Sequence, residues 1–239
     1  MRTAFDGSHR RRIHLFRHGD VSYVGSDGTR VADSTIVELT PWGQEQARLM
    51  RDYVREIAFD RAVCSGMPRT IQTAEGILGD RGLEIEHHSA FREISSDPNR
   101  YQNLAHINEV AYAFKDAHLP SARYGNGEAF GDFAARVIAG LEDLLADPAW
   151  NSLALVAHGG VNRAILGWAS GAGLAGFSTF EQNTCCLNII DVDTDPQSGT
   201  VVRKLIRGVN LTPYDPVKKD VHLTALEMIA ERMAPKYGR

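Results

Sequence analysis

The sequence lacks the features that mark secreted, membrane-spanning and nucleic-acid-binding proteins. It has three cysteines in 239 residues, and two of them, Cys185 and Cys186, are adjacent. An odd count with this spacing is a poor disulfide framework and suits a reducing cytoplasm. No apolar run is long enough for a membrane-spanning helix, and the basic N-terminus has no apolar segment typical of a secretory signal. Lysine and arginine total 26 against 30 Asp and Glu, so a dedicated nucleic-acid binder is not expected.

What the sequence does contain is typical of a folded α/β domain. Hydrophobic residues make up 43% and charged residues 23%, and the length suits one large domain. Short β-prone runs alternate with segments of helical periodicity, which favours a three-layer sandwich with a mostly parallel central sheet and helices on both faces. The predicted strands are 13–16, 61–64, 84–87, 153–157, 187–192 and 200–206. The predicted helices are about 41–57, 68–78, 103–117, 130–145, 159–169 and 220–233.

The chain reads as one domain with an extension at each end. We expect residues 1–12 to form an N-terminal arm and residues 13–239 a single domain, with a C-terminal extension at about 208–239. Residues 20–38 are rich in Gly, Ser and Asp and are predicted to form a long loop, which in a compact domain is often functional. The last helix has spaced apolar residues, and we expect it to pack on the domain or on a second subunit, so a homodimer stays open.

Two β-prone runs each lead into a His-Gly pair. The run IHLF precedes Arg17-His18-Gly19, and the run LALVA precedes His158-Gly159-Gly160. Ligands of open α/β sheets bind beyond the carboxyl ends of the strands, so neighbouring strands would bring His18 and His158 to one site. A third strand, at 61–64, leads to a loop and a helix that carries Arg69. Two arginines and two histidines among glycine-rich turns predict a pocket for a compact, highly charged anion.

Each of these residues has a structural interpretation when it is taken alone. A single histidine at a strand end is usually a capping or core residue, and an arginine after a strand is usually a surface charge. Their joint occurrence at three strand exits favours a functional site. The adjacent His87 and His88 lack the spacing of metal ligands, so no metal and no cofactor are expected. Cys64 lies in an apolar run and is predicted to be a buried small residue rather than a nucleophile.

The motifs and their order resemble the histidine phosphatase superfamily, which includes the cofactor-dependent phosphoglycerate mutases. The resemblance covers roughly residues 13–207 and implies a phosphoglycerate mutase-like fold. The blocks that carry it are Arg17-His18-Gly19, Leu39-Thr40 with Gly43, Ser65 with Arg69-Thr70, Arg92-Glu93, Gly127-Glu128 with Arg136, and His158-Gly159-Gly160 with Arg163.

The resemblance implies a role for each matching residue. His18 is expected to be the nucleophile that accepts the phosphoryl group and forms a phosphohistidine. Glu93 is expected to protonate the leaving oxygen. The residues expected to bind the phosphoryl oxygens or the substrate are Arg17, Arg69, His158, Gly159 and Ser22.

Two positions differ from the family's usual pattern. Val21 stands where a Ser or Thr is common, and Val24 stands where a phosphate-contacting Asn is common. Ser22, one residue further on, is the candidate to replace the missing hydroxyl.

These observations predict a metal-independent hydrolase of phosphomonoesters that acts on a small phosphorylated metabolite in the cytoplasm. The substrate is then the expected partner, and neither nucleic acid nor a membrane is. The alternative is a cofactor-dependent phosphoglycerate mutase; Gly160 follows His158-Gly159 where mutases typically have Asn, which favours the phosphatase branch. A third hypothesis is a non-catalytic phosphate-binding protein, against which the complete set of expected catalytic residues argues.

Overall fold

The computed structural model describes residues 2–3, 6–25, 31, 33–79, 81–97, 100, 107–219 and 221–234. The strands are β1 (Arg2–Thr3), β2 (His9–Arg17), β3 (Arg61–Cys64), β4 (Ile85–His87), β5 (Ser152–Ala157), β6 (Leu187–Thr194) and β7 (Val201–Leu211). The helices are α1 (Pro41–Tyr53), α2 (Pro68–Leu78), α3 (Ile107–Ala111), α4 (Phe130–Ala146), α5 (Gly159–Ser170) and α6 (Ala225–Met233). Short 3-10 turns lie at Ser34–Ile36, Ser89–Phe91 and Gly173–Gly176.

One sheet organises the described part of the chain, with strand order β4-β3-β5-β2-β6-β7 and β1 paired to β2. Strands β4, β3, β5 and β2 run parallel, whereas β6 is antiparallel to both of its neighbours. The two runs that precede the His-Gly pairs are therefore neighbours, and Arg17 at the end of β2 pairs with Ala157 at the end of β5. This pairing places His18 and His158 at the same edge of the sheet.

Helices cover both faces of the sheet, as predicted. Because strand side chains alternate between the faces, Leu155 of β5 packs in one core and Val156 in the other. The first core contains side chains of α4 and α5, such as Phe133, and the second contains side chains of α1 and α2, such as Met50. The predicted three-layer α/β sandwich is confirmed. Cys64 is fully buried in the second core, as expected.

Several helix boundaries differ from the predictions. Helix α1 begins as predicted, with the Thr40 hydroxyl accepting the N–H of Gly43, but it ends at Tyr53 rather than near residue 57. The helix predicted at 103–117 is described as the short α3 followed by turns, and residues 101–106 lie outside the described residues. Helix α6 begins at Ala225 rather than 220, because Thr224 and Glu227 form a reciprocal capping box there. In the part of the chain that is described, no helix is long and apolar enough to cross a membrane.

The prediction of an N-terminal arm over residues 1–12 is wrong for residues 9–12, which are the first part of β2. Arg10 forms a two-point ion pair with Asp193 of β6, and Arg12 forms one with Asp191. The basic run extends the strand because these carboxylates lie opposite it on β6. Asp191 and Asp193 are distant from these arginines along the chain, so the sequence alone does not reveal the ion pairs.

Arg11, on the opposite face of the strand, is buried with 1% of its surface exposed. Its guanidinium donates hydrogen bonds to the carbonyl oxygens of Leu145 and Asp147 at the end of α4. It also lies 4.7 Å from the centre of the Trp150 ring. A cation at a helix C-terminus satisfies carbonyls that have no partner within the helix, so Arg11 fastens α4 to the sheet.

We predict that Arg11→Met lowers the free energy of unfolding by about 2–3 kcal/mol, because it leaves buried carbonyl groups without donors. Urea denaturation followed by circular dichroism measures this loss. The control is Arg55→Met, since Arg55 is exposed beside Glu56 and its replacement should change stability by no more than about 0.5 kcal/mol. Equal stabilities of the two variants would contradict the capping role.

Candidate active site

Five polar side chains meet at the carboxyl ends of β2, β3 and β5. The rings of His18 and His158 lie 5.3 Å apart between centroids, and they are 2% and 0% exposed. Arg17 ends β2, Arg69 is the second residue of α2, and both are buried. Glu93 enters from the loop after β4 and contacts the first turn of α5. The structure thus brings together the arginines and histidines that the sequence analysis selected at separate strand exits. Glu93, which lies with them, was expected from the family resemblance.

The turn after His18 is fixed by direct packing of backbone on backbone. A Cβ on Gly19 would lie 2.6 Å from the carbonyl oxygen of Gly43, and one on Gly43 would lie 2.2 Å from that of Asp20. The N–H of Gly19 donates to the Thr73 hydroxyl at 3.0 Å, and the N–H of Asp20 donates to Gln46 Oε1 at 2.8 Å. Only glycine permits this close approach, which holds the chain beside His18 in one conformation.

The surroundings of His18 leave one ring nitrogen free. Its Nδ1 lies 2.7 Å from the carbonyl oxygen of Gly19. A carbonyl can only accept, so Nδ1 carries the proton and the lone pair is on Nε2. Burial, followed by the positive charges of Arg69 and Arg17, lowers the pKa of His18 well below the ordinary value of 6.5. The imidazole is therefore neutral at neutral pH, with Nε2 available as a nucleophile.

His18 is held through Nδ1, whereas His158 is held through Nε2. Its Nε2 lies 2.8 Å from the Ser65 hydroxyl, which lies 2.9 Å from the Thr70 hydroxyl. Burial and then the charge of Arg69 lower the pKa of His158 well below 6.5. Its Nδ1 is buried and has no hydrogen-bond partner among the described residues. The hydroxyl pair fixes the ring and leaves Nδ1 for a ligand.

The two arginines carry buried N–H groups that also lack hydrogen-bond partners in the described part of the chain. Arg17 donates from Nη1 to the Gln182 carbonyl at 2.6 Å, and Arg69 donates from Nη1 to the Ser34 carbonyl at 2.9 Å. Their Nε atoms have no partner, and neither side chain forms an ion pair with a carboxylate within the described ranges. Buried guanidinium groups beside the N-terminus of α5 form a site for an anion such as a phosphoryl group.

Glu93 is held against α5 by backbone groups. Its Oε2 accepts the N–H of Gly160 at 3.0 Å, and its Oε1 accepts that of Ile94 at 3.1 Å. A Cβ at position 160 would lie 2.4 Å from Glu93 Oε1, so a larger residue there would displace the carboxyl group. Arg136 supports the same loop by donating to the Ala90 carbonyl and to Glu128.

The substrate-binding residues predicted from the sequence occupy different surroundings. Gly159 lies in the cluster, where a Cβ would come within 3.4 Å of Arg17 Nε. Ser22 is exposed, and its hydroxyl donates to the carbonyl of Val24 in the same loop, so its role stays a prediction. Val21 is buried against Val37 and Leu39, which explains an apolar residue at this position: it anchors the loop.

Sequence reasoning missed the support that comes from the segment before β6. The Gln182 carbonyl holds Arg17, and the side chain of Gln182 bonds to Asn162 and Asn188. Arg163 belongs to the block that begins with His158, and the sequence analysis gives it no role. It donates to Glu181 at 3.0 Å and to the Gly159 carbonyl. The only sequence feature that could indicate this support is a short polar run, Glu181-Gln182-Asn183, between apolar segments. In the described ranges no group of three or more His, Cys, Asp or Glu is arranged as a metal site.

We predict that His18, in the protein without ligand, has its proton on Nδ1 and titrates with a midpoint below 6.5. Imidazole ¹⁵N shifts recorded against pH measure both properties. Arg69→Met should raise the midpoint, because removal of a nearby positive charge favours the imidazolium form, whereas Arg55→Met should leave it unchanged. A proton on Nε2, or a midpoint at or above 6.5, would contradict the assignment.

Comparison with known proteins agrees with this arrangement. A family model of the histidine phosphatase superfamily (branch 1) matches residues 13–204. A Photorhabdus laumondii protein named probable phosphoglycerate mutase is 26% identical over 196 residues, which cover 80% of this chain and 90% of that protein. A broad-specificity phosphatase of Saccharomyces cerevisiae is 29% identical over 167 residues, 66% of this chain and 69% of that protein.

A solved structure shares the fold. The mycobacterial glucosyl-3-phosphoglycerate phosphatase has a TM-score of 0.69 and 24% identity, with 84% of this chain and 99% of that chain covered. At this identity the likeness supports the fold alone. The family match extends over most of the chain and includes the strand exits that carry His18, Arg69 and His158. The chain therefore belongs to the histidine phosphatase superfamily.

Proposed function

We propose that this protein hydrolyses the phosphomonoester of a small metabolite through a phosphohistidine on Nε2 of His18, with no metal or cofactor in the reaction. The observation that carries the proposal is the neutral His18 beside two buried arginines. Among the described residues, neither Nε2 of His18 nor the Nε atoms of the arginines have a hydrogen-bond partner. A nucleophile next to unpaired cationic donors suits attack on a phosphoryl group.

In the first step, Nε2 of His18 attacks phosphorus. The N–P bond forms, the P–O bond to the alcohol breaks, and Glu93 gives its proton to the leaving oxygen. Arg17 and Arg69 neutralise charge on the other phosphoryl oxygens, and the neutral His158 donates a hydrogen bond to one of them from Nδ1. Uncatalysed hydrolysis of such esters is so slow that enzymes accelerate it by up to about 10²¹-fold. Positioning and fixed charge must therefore supply most of the rate.

In the second step, water attacks the phosphohistidine. The N–P bond breaks, inorganic phosphate forms, and the proton of the attacking water passes to Glu93. This restores the neutral His18 and the protonated Glu93 for the next turnover. Because Nδ1 of His18 donates to the Gly19 carbonyl, the ring keeps one orientation through both steps.

A phosphoglycerate mutase is the second candidate, because a relative carries that name. It would share the first step, and the phosphohistidine would then give its phosphoryl group to another hydroxyl of the substrate instead of water. Gly160 favours the hydrolase, because mutases typically have Asn at this position.

The test is phosphate release from a panel of phosphomonoesters in EDTA, including an aryl phosphate and 3-phosphoglycerate. We expect release by the wild type and a loss of at least about 10³-fold in His18→Ala. His87→Ala, which replaces an exposed histidine, is the control and should keep full activity, and circular dichroism checks that both variants fold. Unchanged turnover in His18→Ala would reject the nucleophile. Isomerisation of phosphoglycerate without phosphate release would replace the hydrolase with the mutase.

The acid role of Glu93 predicts dependence on the leaving group. Glu93→Gln should reduce kcat/KM for alkyl phosphates by about 10²-fold or more and for 4-nitrophenyl phosphate much less, because an acidic phenol leaves without a proton. Gly160→Ala should follow the same pattern, because its methyl group displaces the Glu93 carboxyl group. Gly131→Ala, where a Cβ meets nothing within 4 Å, should be unaffected. Equal losses for both ester classes would remove the acid role.

A further inference from the structure

An ion pair holds the backbone immediately before Glu93. Arg136 of α4 donates to the Glu128 carboxylate from both Nε and Nη2, at 3.1 and 2.9 Å. Its remaining terminal nitrogen, Nη1, donates to the carbonyl oxygens of Ala90 and Arg92, at 2.7 and 3.1 Å. One planar guanidinium group therefore joins a carboxylate to two carbonyls of the loop that carries Glu93.

The other member of the pair, Glu128, holds the backbone after Glu93. Its Oε2 accepts the N–H of Ser95 at 3.3 Å, and its own N–H donates to the Ser95 carbonyl at 2.9 Å. Gly127 permits this approach, because a Cβ there would lie 2.3 Å from the Ser95 carbonyl oxygen. The ion pair is thus bonded to the chain on both sides of Glu93.

Helix α4 also contacts the backbone group that receives the Glu93 carboxylate. Phe133 precedes Arg136 by three residues, so both lie on one face of the helix, and its ring is 5.0 Å from the Arg136 guanidinium carbon. A Cβ on Gly160 would lie 3.4 Å from Phe133 Cζ, and the N–H of Gly160 donates to Glu93 Oε2. One face of α4 therefore sets the loop of Glu93 against the first turn of α5.

The exposure of the ion pair argues against a role in global stability alone. The side chains of Arg136 and Glu128 are 31% and 20% exposed, and ion pairs that are open to solvent contribute little to the free energy of unfolding. A general acid, in contrast, must lie within hydrogen-bond reach of the leaving oxygen. A misplacement of about 1 Å can cost about 10²-fold in rate, so contacts of small effect on stability can have a large effect on proton transfer.

We propose that Arg136 and Glu128 are positioning residues for the general acid, which hold Glu93 where it protonates the leaving oxygen. The inference rests on the proposed function, because it concerns the proton that Glu93 gives in the first step. Loss of the ion pair should then impair esters of alkyl alcohols, which need this proton, more than esters of acidic phenols, which leave without it. A general loosening of the fold would affect both classes alike.

The test is a double-mutant cycle measured with glycerol 2-phosphate and 4-nitrophenyl phosphate. Arg136→Met should lower kcat/KM for glycerol 2-phosphate at least about tenfold and for 4-nitrophenyl phosphate less than about twofold. Adding Arg136→Met to Glu93→Gln should lower kcat/KM for glycerol 2-phosphate no more than about twofold further, because both changes remove the same proton transfer. Residues that act independently would multiply their losses.

Arg61→Met is the control for loss of an ion pair. Arg61 also forms a two-point pair, with Glu86 at 2.8 Å, but it lies at the start of β3, away from the carboxyl end that faces the site. This variant should leave kcat/KM unchanged for both esters. Where Arg136→Met does not fold by circular dichroism, Glu128→Gln takes its place, because it removes the ion pair with little change in size. Equal losses on the two esters, or losses that multiply in the double variant, would overturn the positioning role.

If no ester is hydrolysed, the proposed function fails, and the positioning of Glu93 is judged from the Gly160 N–H. This group is in the first turn of α5, where N–H groups have no partner within the helix, so its bond to Glu93 protects it from exchange with solvent. Hydrogen exchange followed by NMR should be at least about tenfold faster at Gly160 in Arg136→Met and Glu128→Gln, and unchanged in Arg61→Met. Equal exchange rates in all the variants and the wild type would reject the inference.

Discussion

The candidate site depends on two buried arginines, Arg17 and Arg69, which form no ion pair with a carboxylate in the described part of the chain. Arg17 and Arg69 are 6% and 3% exposed, and their described partners are backbone carbonyls and a methionine sulfur. Removing guanidinium groups from water is costly unless they are paired. Protonation of His18 or His158 would add to the uncompensated charge, so both rings are held neutral. Under the proposed function, an incoming phosphoryl group would supply the missing negative charge, and the same excess of positive charge would keep His18 neutral before the substrate binds.

The convergence of these side chains depends on the order and direction of the strands. Parallel pairing of β2, β5 and β3 directs three carboxyl ends to one edge, where the chain leaves the sheet. The contact between Gly19 and Gly43 then lets α1 approach the turn after His18. Gly160 similarly lets Glu93 reach the first turn of α5. A methyl group at position 160 would displace Glu93, and one at position 19 or 43 would move α1 away from the turn after His18.

The sequence predicted those parts of the structure that have local signatures. Strand runs, the Thr40-Pro41 helix start and the His-Gly pairs each depend on neighbouring residues. The partners of Arg10 and Arg12 lie about 180 positions away, so the sequence alone predicts an arm where the structure has a strand. The Gln182 carbonyl that holds Arg17 has no signature, because every residue has a carbonyl group. The hydrogen bonds that link Arg163 through Glu181 to α6 also join residues that are distant in sequence, so only the structure reveals them.

The match to the family ends at residue 204, and helix α6 lies beyond that point. Arg232 of this helix donates to the Asp20 carboxylate, two residues after His18. The N–H of Ala225, at the start of the helix, donates to Glu181, whose other carboxylate oxygen accepts from Arg163 of α5. The edge of the candidate site is therefore supported at two points by a segment outside the matched part of the chain. Because each support is a hydrogen bond between residues distant in sequence, only the folded chain brings this segment to the site.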